Sequence, residues 1–157
     1  MKILVFSDSH MYLDYMIACT RRIKPDVLIH LGDYFDDAMA LTAEFPQIPV
    51  YAVPGNCDQY KFGGNNEPIK IVELDGVRFY LTHGHKHGVK YDLHKLKLDA
   101  RRADAAAVLF GHTHEQLREF ENDLWIINPG SCGAYTAGAA LIETKDNKIS
   151  HCVLMTR

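Results

Sequence analysis

The chain has 157 residues, 47% hydrophobic and 24% charged, with 17 Lys and Arg against 20 Asp and Glu. That length suits one compact unit, since about 150 residues bury roughly 70% of their unfolded surface. A net charge of −3 and a pI near 6.3 argue against nucleic-acid binding through backbone phosphates. No apolar run approaches the ~20 residues of a membrane span, and the N-terminal run Ile3–Phe6 is too short for a signal-peptide core. Cys19, Cys57, Cys132 and Cys152 lie far apart without a C-x-x-C spacing. The expectation is a reduced, cytoplasmic domain spanning residues 1–157.

The elements alternate. Lys2–Phe6 is almost wholly apolar, as a strand buried on both faces would be. After it, Leu13, Met16 and Ile17 recur at helical spacing, and Pro25 closes that segment. Asp26–Leu31 reads as a second buried strand, Ala38–Phe45 as a helix, and Val50–Val53 as a third strand ended by Pro54-Gly55. This order predicts a parallel sheet with right-handed crossovers. Pro68–Leu74 and Val77–Thr82 flank Asp75-Gly76, a hairpin turn. A helix is expected with Val89, Leu93, Leu96 and Ala100 on one face, then a buried strand at Ala106–Phe110. Short strands follow around Gln116–Phe120, Leu124–Ile127, Ala137–Glu143 and Ile149–Met155, enough for two packed sheets.

Ligands of open α/β sheets gather beyond the carboxyl ends of the strands. Five expected strand ends are followed by chemistry-bearing residues: Asp8-Ser9-His10, Gly32-Asp33, Gly55-Asn56-Cys57-Asp58, Thr82-His83-Gly84-His85 and Gly111-His112-Thr113-His114. Carboxylates, imidazoles and an amide oxygen form a mixed donor set suited to Mn, Fe, Zn, Co or Ni rather than to an all-oxygen Ca or Mg site. One zinc needs three or four ligands, and this edge offers seven, so two cations fit the count better. Taken singly, Asp8 and Asp33 could be helix N-caps, and any one His-x-His pair could be incidental. Five such accidents at five strand ends are not a credible alternative. His30, inside a strand, reads as a packing residue. His94 and His151 read as structural or neutral, and His85 and His87 as side chains able to reach a substrate oxygen.

These motifs, complete and in order, resemble the calcineurin-like metallophosphoesterase family, and within it the small single-domain microbial phosphodiesterases. That branch also carries Gly-Asn-Cys-Asp, and an Asn-Pro-Gly-Ser segment such as Asn128–Ser131. The resemblance runs from Lys2 to about Thr144. It implies a four-layer α-β-β-α sandwich of two mixed sheets, with two divalent metals at their carboxyl edge. Asp8, His10, Asp33 and His114 would hold one metal, and Asp33 would bridge to a second held by Asn56, His83 and His112. Manganese is the first candidate; nickel, iron, zinc and cobalt are the alternatives. The implied chemistry is phosphodiester hydrolysis by a metal-bridging hydroxide, with Asn56, His83 and His85 as catalytic groups.

One position departs from the larger members of the family. Where they place His after the third-motif Asn, this chain has Cys57. Leaving-group protonation would then fall to His85 or be weak, which predicts a preference for acidic leaving groups. The chain has no length for a cap over the site, so an open groove and diesters are expected over monoesters. The expected partner is a small phosphate ester, with no dedicated nucleic-acid or membrane surface; self-association into a homo-oligomer stays open. The rival readings are a phosphomonoesterase and a metal-binding scaffold of the same fold. Scaffold relatives depart at the position that His10 occupies here.

Overall fold

A computed structural model describes residues 1–58, 67–133, 135 and 137–157. In chain order the elements are Lys2–Phe6 (β1), Leu13–Ile23 (α1), Val27–His30 (β2), Phe35–Glu44 (α2), Val50–Ala52 (β3), Ile69–Leu74 (β4), Val77–Thr82 (β5), His94–Arg102 (α3), Ala107–Leu109 (β6), Gln116–Glu121 (β7), Leu124–Pro129 (β8), Gly138–Lys145 (β9) and Lys148–Thr156 (β10). Short 3₁₀ turns occupy Asn56–Asp58 and His85–His87.

The strands form two five-stranded sheets, ordered β10-β9-β1-β2-β3 and β4-β5-β6-β8-β7. β1, β2 and β3 run parallel, as do β5, β6 and β8; β9, β10, β4 and β7 pair antiparallel. Both sheets are therefore mixed. The parallel triplets bring their carboxyl ends, and the loops that follow them, to one edge.

Period-two alternation sorts the side chains into layers. Ile3, Val5, Val27 and Ile29 of one sheet meet Phe79, Leu81, Ala107, Leu109 and Ile127 of the other in the central core. The alternate residues Leu4, Phe6 and Leu28 face outward, under Tyr15, Met16 and Cys19 of α1 and Leu41 of α2. On the opposite outer face Tyr80, Val108 and Ile126 lie under Leu96 and Ala100 of α3. This is the expected α-β-β-α sandwich, and it explains why β1 is apolar at every position: both of its faces are covered.

At the end remote from these loops the sheets are tied together. Asp75 and Gly76 both take positive φ (51° and 72°), the geometry of a tight hairpin turn. Asp75 Oδ2 accepts the Thr144 hydroxyl from the other sheet at 2.7 Å. The third helix is a correction. It begins at His94, whose N–H is capped by Asp92 Oδ1 at 2.8 Å, and the segment before it turns through Gly88. Val89 and Leu93 still pack on the same core, so their apolar spacing reports burial rather than helix. Among the described residues, no helix is long and apolar enough to cross a membrane.

Candidate functional site

The five expected strand ends converge. Asp8, His10 and Met11 after β1, Asp33 and Tyr34 after β2, and His112 and His114 after β6 all take left-handed backbone conformations, with φ between 47° and 72°. Such values are costly for side-chain-bearing residues and persist where the surrounding structure enforces them, commonly at functional sites.

The buried carboxylate of Asp8 is held through one oxygen. Its Oδ2 accepts the Ser7 hydroxyl and the His112 N–H (3.0 Å). Its Oδ1 accepts no hydrogen bond, although His114 Nε2 lies 3.2 Å away. Asp33 Oδ1 accepts the Cys57 N–H at 2.9 Å and lies 3.5 Å from His83 Nε2. The His83 ring donates Nδ1–H to the Leu31 carbonyl at 2.8 Å, which turns Nε2 toward the cluster. That Nε2 lies 3.1 Å from Asn56 Oδ1. His10 Nε2 similarly faces His114 Nε2 at 3.5 Å.

One donor atom from each of Asp8, His10, Asp33 and His114 falls within 4.8 Å of the others, a grouping able to hold a metal ion. Asn56 and His83 stand beside Asp33, and the His112 ring centroid is 5.0 Å from that of His83. The orphaned buried oxygen of Asp8, beside the clustered Asp33 carboxylate and the His10 and His114 imidazoles, is what a cation would satisfy. The donor set therefore fits divalent metal. The structure brings all seven expected ligands into one patch. His85, expected as a catalytic group, borders it, with its ring centroid 5.4 Å from His83 and 6.1 Å from His112.

Electrostatics separate the histidines. Burial, reinforced by His83, His112 and Lys86, pulls His85 down to about 4. Burial and the nearby His83 and Lys90 lower His112 as well. Burial pushes Asp33 upward, but His83, the Cys57 donors and His10 outweigh it and hold the carboxyl below its usual range. The Cys57 thiol is pushed up to about 11 by burial and by Asp33, so it stays protonated near neutrality. His87 turns away from the site: its Nε2 meets the Tyr80 hydroxyl at 3.1 Å and Asp99 Oδ2 at 3.6 Å. His94 and His151 are exposed, on α3 and β10.

Support comes from residues outside the expected ligand set. His30 is indeed a packing residue, but a polar one. Buried and pulled down to about 3 by that burial, it is neutral; its Nε2 lies 3.0 Å from Ser9 Oγ. Ser9 donates to Asp37 Oδ2 at 2.6 Å, which also accepts the Met11 N–H at 2.9 Å, so α2 anchors the loop carrying Asp8 and His10. Neither Asp8 nor Asp33 is a helix N-cap; those positions are Tyr12 and Tyr34. Asp58 instead accepts the N–H groups of Phe35 and Gly55, each at 2.8 Å, tying the Asn56 loop to the start of α2. Asn128 binds the Gly111 carbonyl, Thr113 Oγ1 and the Gly130 N–H, and Ser131 donates to the Asp8 carbonyl. Glycine is required at 55 and 111 by close approach: a Cβ would stand 2.1 Å from Asp33 Oδ1 and 1.9 Å from Ser7 Oγ respectively.

Comparison with known proteins agrees with this geometry. The family model of the calcineurin-like phosphoesterase superfamily domain matches residues 1–147. A probable metallophosphoesterase of Mycoplasma pneumoniae is 36% identical over 135 residues, covering 83% of this chain and 78% of that protein. A Methanocaldococcus jannaschii protein named as a phosphodiesterase is 29% identical over 162 residues, 94% of each chain. A solved structure described as a novel archaeal phosphodiesterase superposes with a TM-score of 0.76 at 25% identity, covering 100% of both chains. Zinc-bound Vps29 of Entamoeba histolytica gives 0.76 at 20% identity over 99% of each chain, a likeness of fold alone. With its ordered motifs gathered at one sheet edge, the chain belongs to the calcineurin-like phosphoesterase superfamily, a family of hydrolases.

Proposed function

We propose that this protein hydrolyses phosphodiesters at a dinuclear metal centre. The observation that carries the reading is the placement of Asp33, one carboxylate shared between the Asp8–His10–His114 group and the Asn56–His83 pair. Asp8, His10, Asp33 and His114 would hold one cation; Asp33, Asn56, His83 and His112 would hold the other. Two divalent cations, manganese first, would supply Lewis-acid charge and lower the pKa of an attacking water.

The chain's own groups do the rest. Asp8 is fixed through Oδ2, leaving its Oδ1 free for a ligand, and the Cys57 N–H holds the Asp33 carboxylate in place beside His83. The Leu31 carbonyl holds the His83 ring in a single tautomer. Asn56 is a neutral donor, so the site stays more cationic toward an anionic ester. His85, neutral above about pH 4, is placed to accept or relay a hydrogen bond rather than to act as a ready acid. With the Cys57 thiol a poor acid as well, esters with acidic leaving groups should react best.

The test uses chelator-stripped protein reloaded with manganese, nickel, iron, zinc or cobalt, assayed on bis-p-nitrophenyl phosphate and p-nitrophenyl phosphate. Metal-dependent cleavage favouring the diester supports the proposal, and a reversed preference changes the substrate class. Two bound metals per chain without cleavage of either ester would overturn it in favour of a scaffold. His10→Asn should weaken binding of one metal and lower turnover sharply while the protein stays folded.

A further inference from the structure

The two flanks of the Asp/His cluster differ in chemistry. Beyond His10 the surface is aromatic and apolar: the Tyr34 ring meets His10 edge-on with centroids 5.4 Å apart, and Met11 and Tyr12 are exposed. Beyond His83 the chain enters the His85–His87 turn, set between Gly84 and Gly88, both in the left-handed region. It then curls back, with the N–H groups of Tyr91 and Asp92 returning to the Gly88 carbonyl. This stretch carries Lys86 and Lys90, both exposed. It is pinned by Lys95 of α3, whose Nζ donates to the Lys86 carbonyl at 2.9 Å.

Both lysines lie on the segment that borders the histidine side of the site. Lys86 follows His85, whose ring centroid is 5.4 Å from that of His83 and 6.1 Å from that of His112, and Val89, beside Lys90, packs against Gly84 next to His83. Among the described residues, neither lysine is in an ion pair. The carboxylates of the same region are engaged elsewhere: Asp92 caps His94, and Asp99 lies 3.6 Å from His87 and 3.5 Å from Arg102. In a chain of net charge −3, this sets two cationic side chains, without an ion pair among the described residues, on the His83–His85 flank of the cluster. A diester bound at the cluster can extend one arm over this flank.

Resting on the diesterase reading above, we propose that Lys86 and Lys90 form a subsite for a second phosphate group. The preferred substrates are then phosphodiesters with one arm bearing a further phosphate, and that arm lies on the His85–His112 side. The opposite arm lies against Tyr34 and Met11, which suits an aromatic or apolar group.

The test compares two chromogenic diesters that share a leaving group: thymidine 5′-p-nitrophenyl phosphate with and without a 3′-phosphate. The wild type should favour the 3′-phosphorylated ester in kcat/KM by about ten-fold at low salt, and by less as salt screens the charges. Lys86→Ala/Lys90→Ala should bring that ratio close to one, whereas Lys24→Ala, at the far end of α1, should leave it as in the wild type. A wild-type ratio near one, or a preference retained by the double variant, overturns the subsite. If neither diester is cleaved with any divalent metal, the diesterase reading fails. The subsite is then decided by calorimetry on metal-loaded protein. Tighter binding of thymidine 3′,5′-bisphosphate than of the 5′-monophosphate, lost in the double variant, sustains it; equal binding overturns it.

Discussion

Asp58→Asn tests how the third-motif loop is held. The Asp58 carboxylate is buried, and its two oxygens accept N–H groups from Phe35 and Gly55, each at 2.8 Å. The Phe35 N–H opens α2, where the helix itself offers it no partner and where negative charge is favoured. Asparagine keeps the shape but replaces one oxygen by an NH₂ group that faces an N–H donor. One charge-assisted bond is lost and a donor is left unsatisfied, which together should cost about 2–4 kcal/mol. For a chain of this size that corresponds to a melting temperature lower by roughly 5–15 °C. Thermal unfolding of the metal-free protein followed by circular dichroism reads this directly. Because Cys57 N–H holds Asp33 and Asn56 precedes it in the same loop, metal affinity should also fall. A melting temperature within a degree of the wild type would refute the reasoning, since the two bonds would then contribute nothing to holding the loop.

Gly111→Ala places a Cβ 1.9 Å from Ser7 Oγ and 2.7 Å from Asp8 Oδ2, so it should displace the Asp8 carboxylate and reduce metal binding measured by calorimetry at least ten-fold. His30 has a folded pKa of about 3 against an ordinary 6.5, so the unfolded chain binds the extra proton. Stability of the metal-free protein should therefore be full above about pH 6.5 and fall toward pH 3, by up to about 1.4 kcal/mol per pH unit for this group. His85 and His112 act in the same direction; urea midpoints that do not change between pH 7 and 4.5 would contradict this. His94→Ala and His151→Ala, at exposed positions on α3 and β10, should leave turnover within about two-fold of the wild type, and a large loss in either would mean that the site extends further than the geometry indicates.

Much of the candidate site was legible because each proposed ligand follows a strand of the two parallel triplets, and such strands announce themselves as short apolar runs. Asp8, Asp33, His83 and His112 needed only the rule that ligands gather at carboxyl ends. The supporting residues were not legible, because their partners are distant in sequence. Ser131 reaches the Asp8 carbonyl across 123 positions, and Ser9 reaches Asp37 across 28. His30 was readable as buried, but its role in the Ser9–Asp37 network depends on β2 lying beside β1. The extent of the third helix was misread because Val89 and Leu93 follow a helical period while packing from a loop. Turns without glycine were also missed: Asn122-Asp123 and Asp146-Asn147 join β7 to β8 and β9 to β10 with positive φ throughout.

The left-handed residues of the site set the protein's chemistry against its own stability. Asp8, His10, Asp33, His112 and His114 are held where glycine would rest more comfortably, at a penalty of about 1–2 kcal/mol for each side chain. Mutational drift under selection for folding alone would erode these positions first. A relative freed from catalysis could gain stability by losing its ligands while its sheets stay intact. The endurance of the fold therefore does not guarantee that the reaction endures, and a descendant could keep the sandwich as a surface for other purposes.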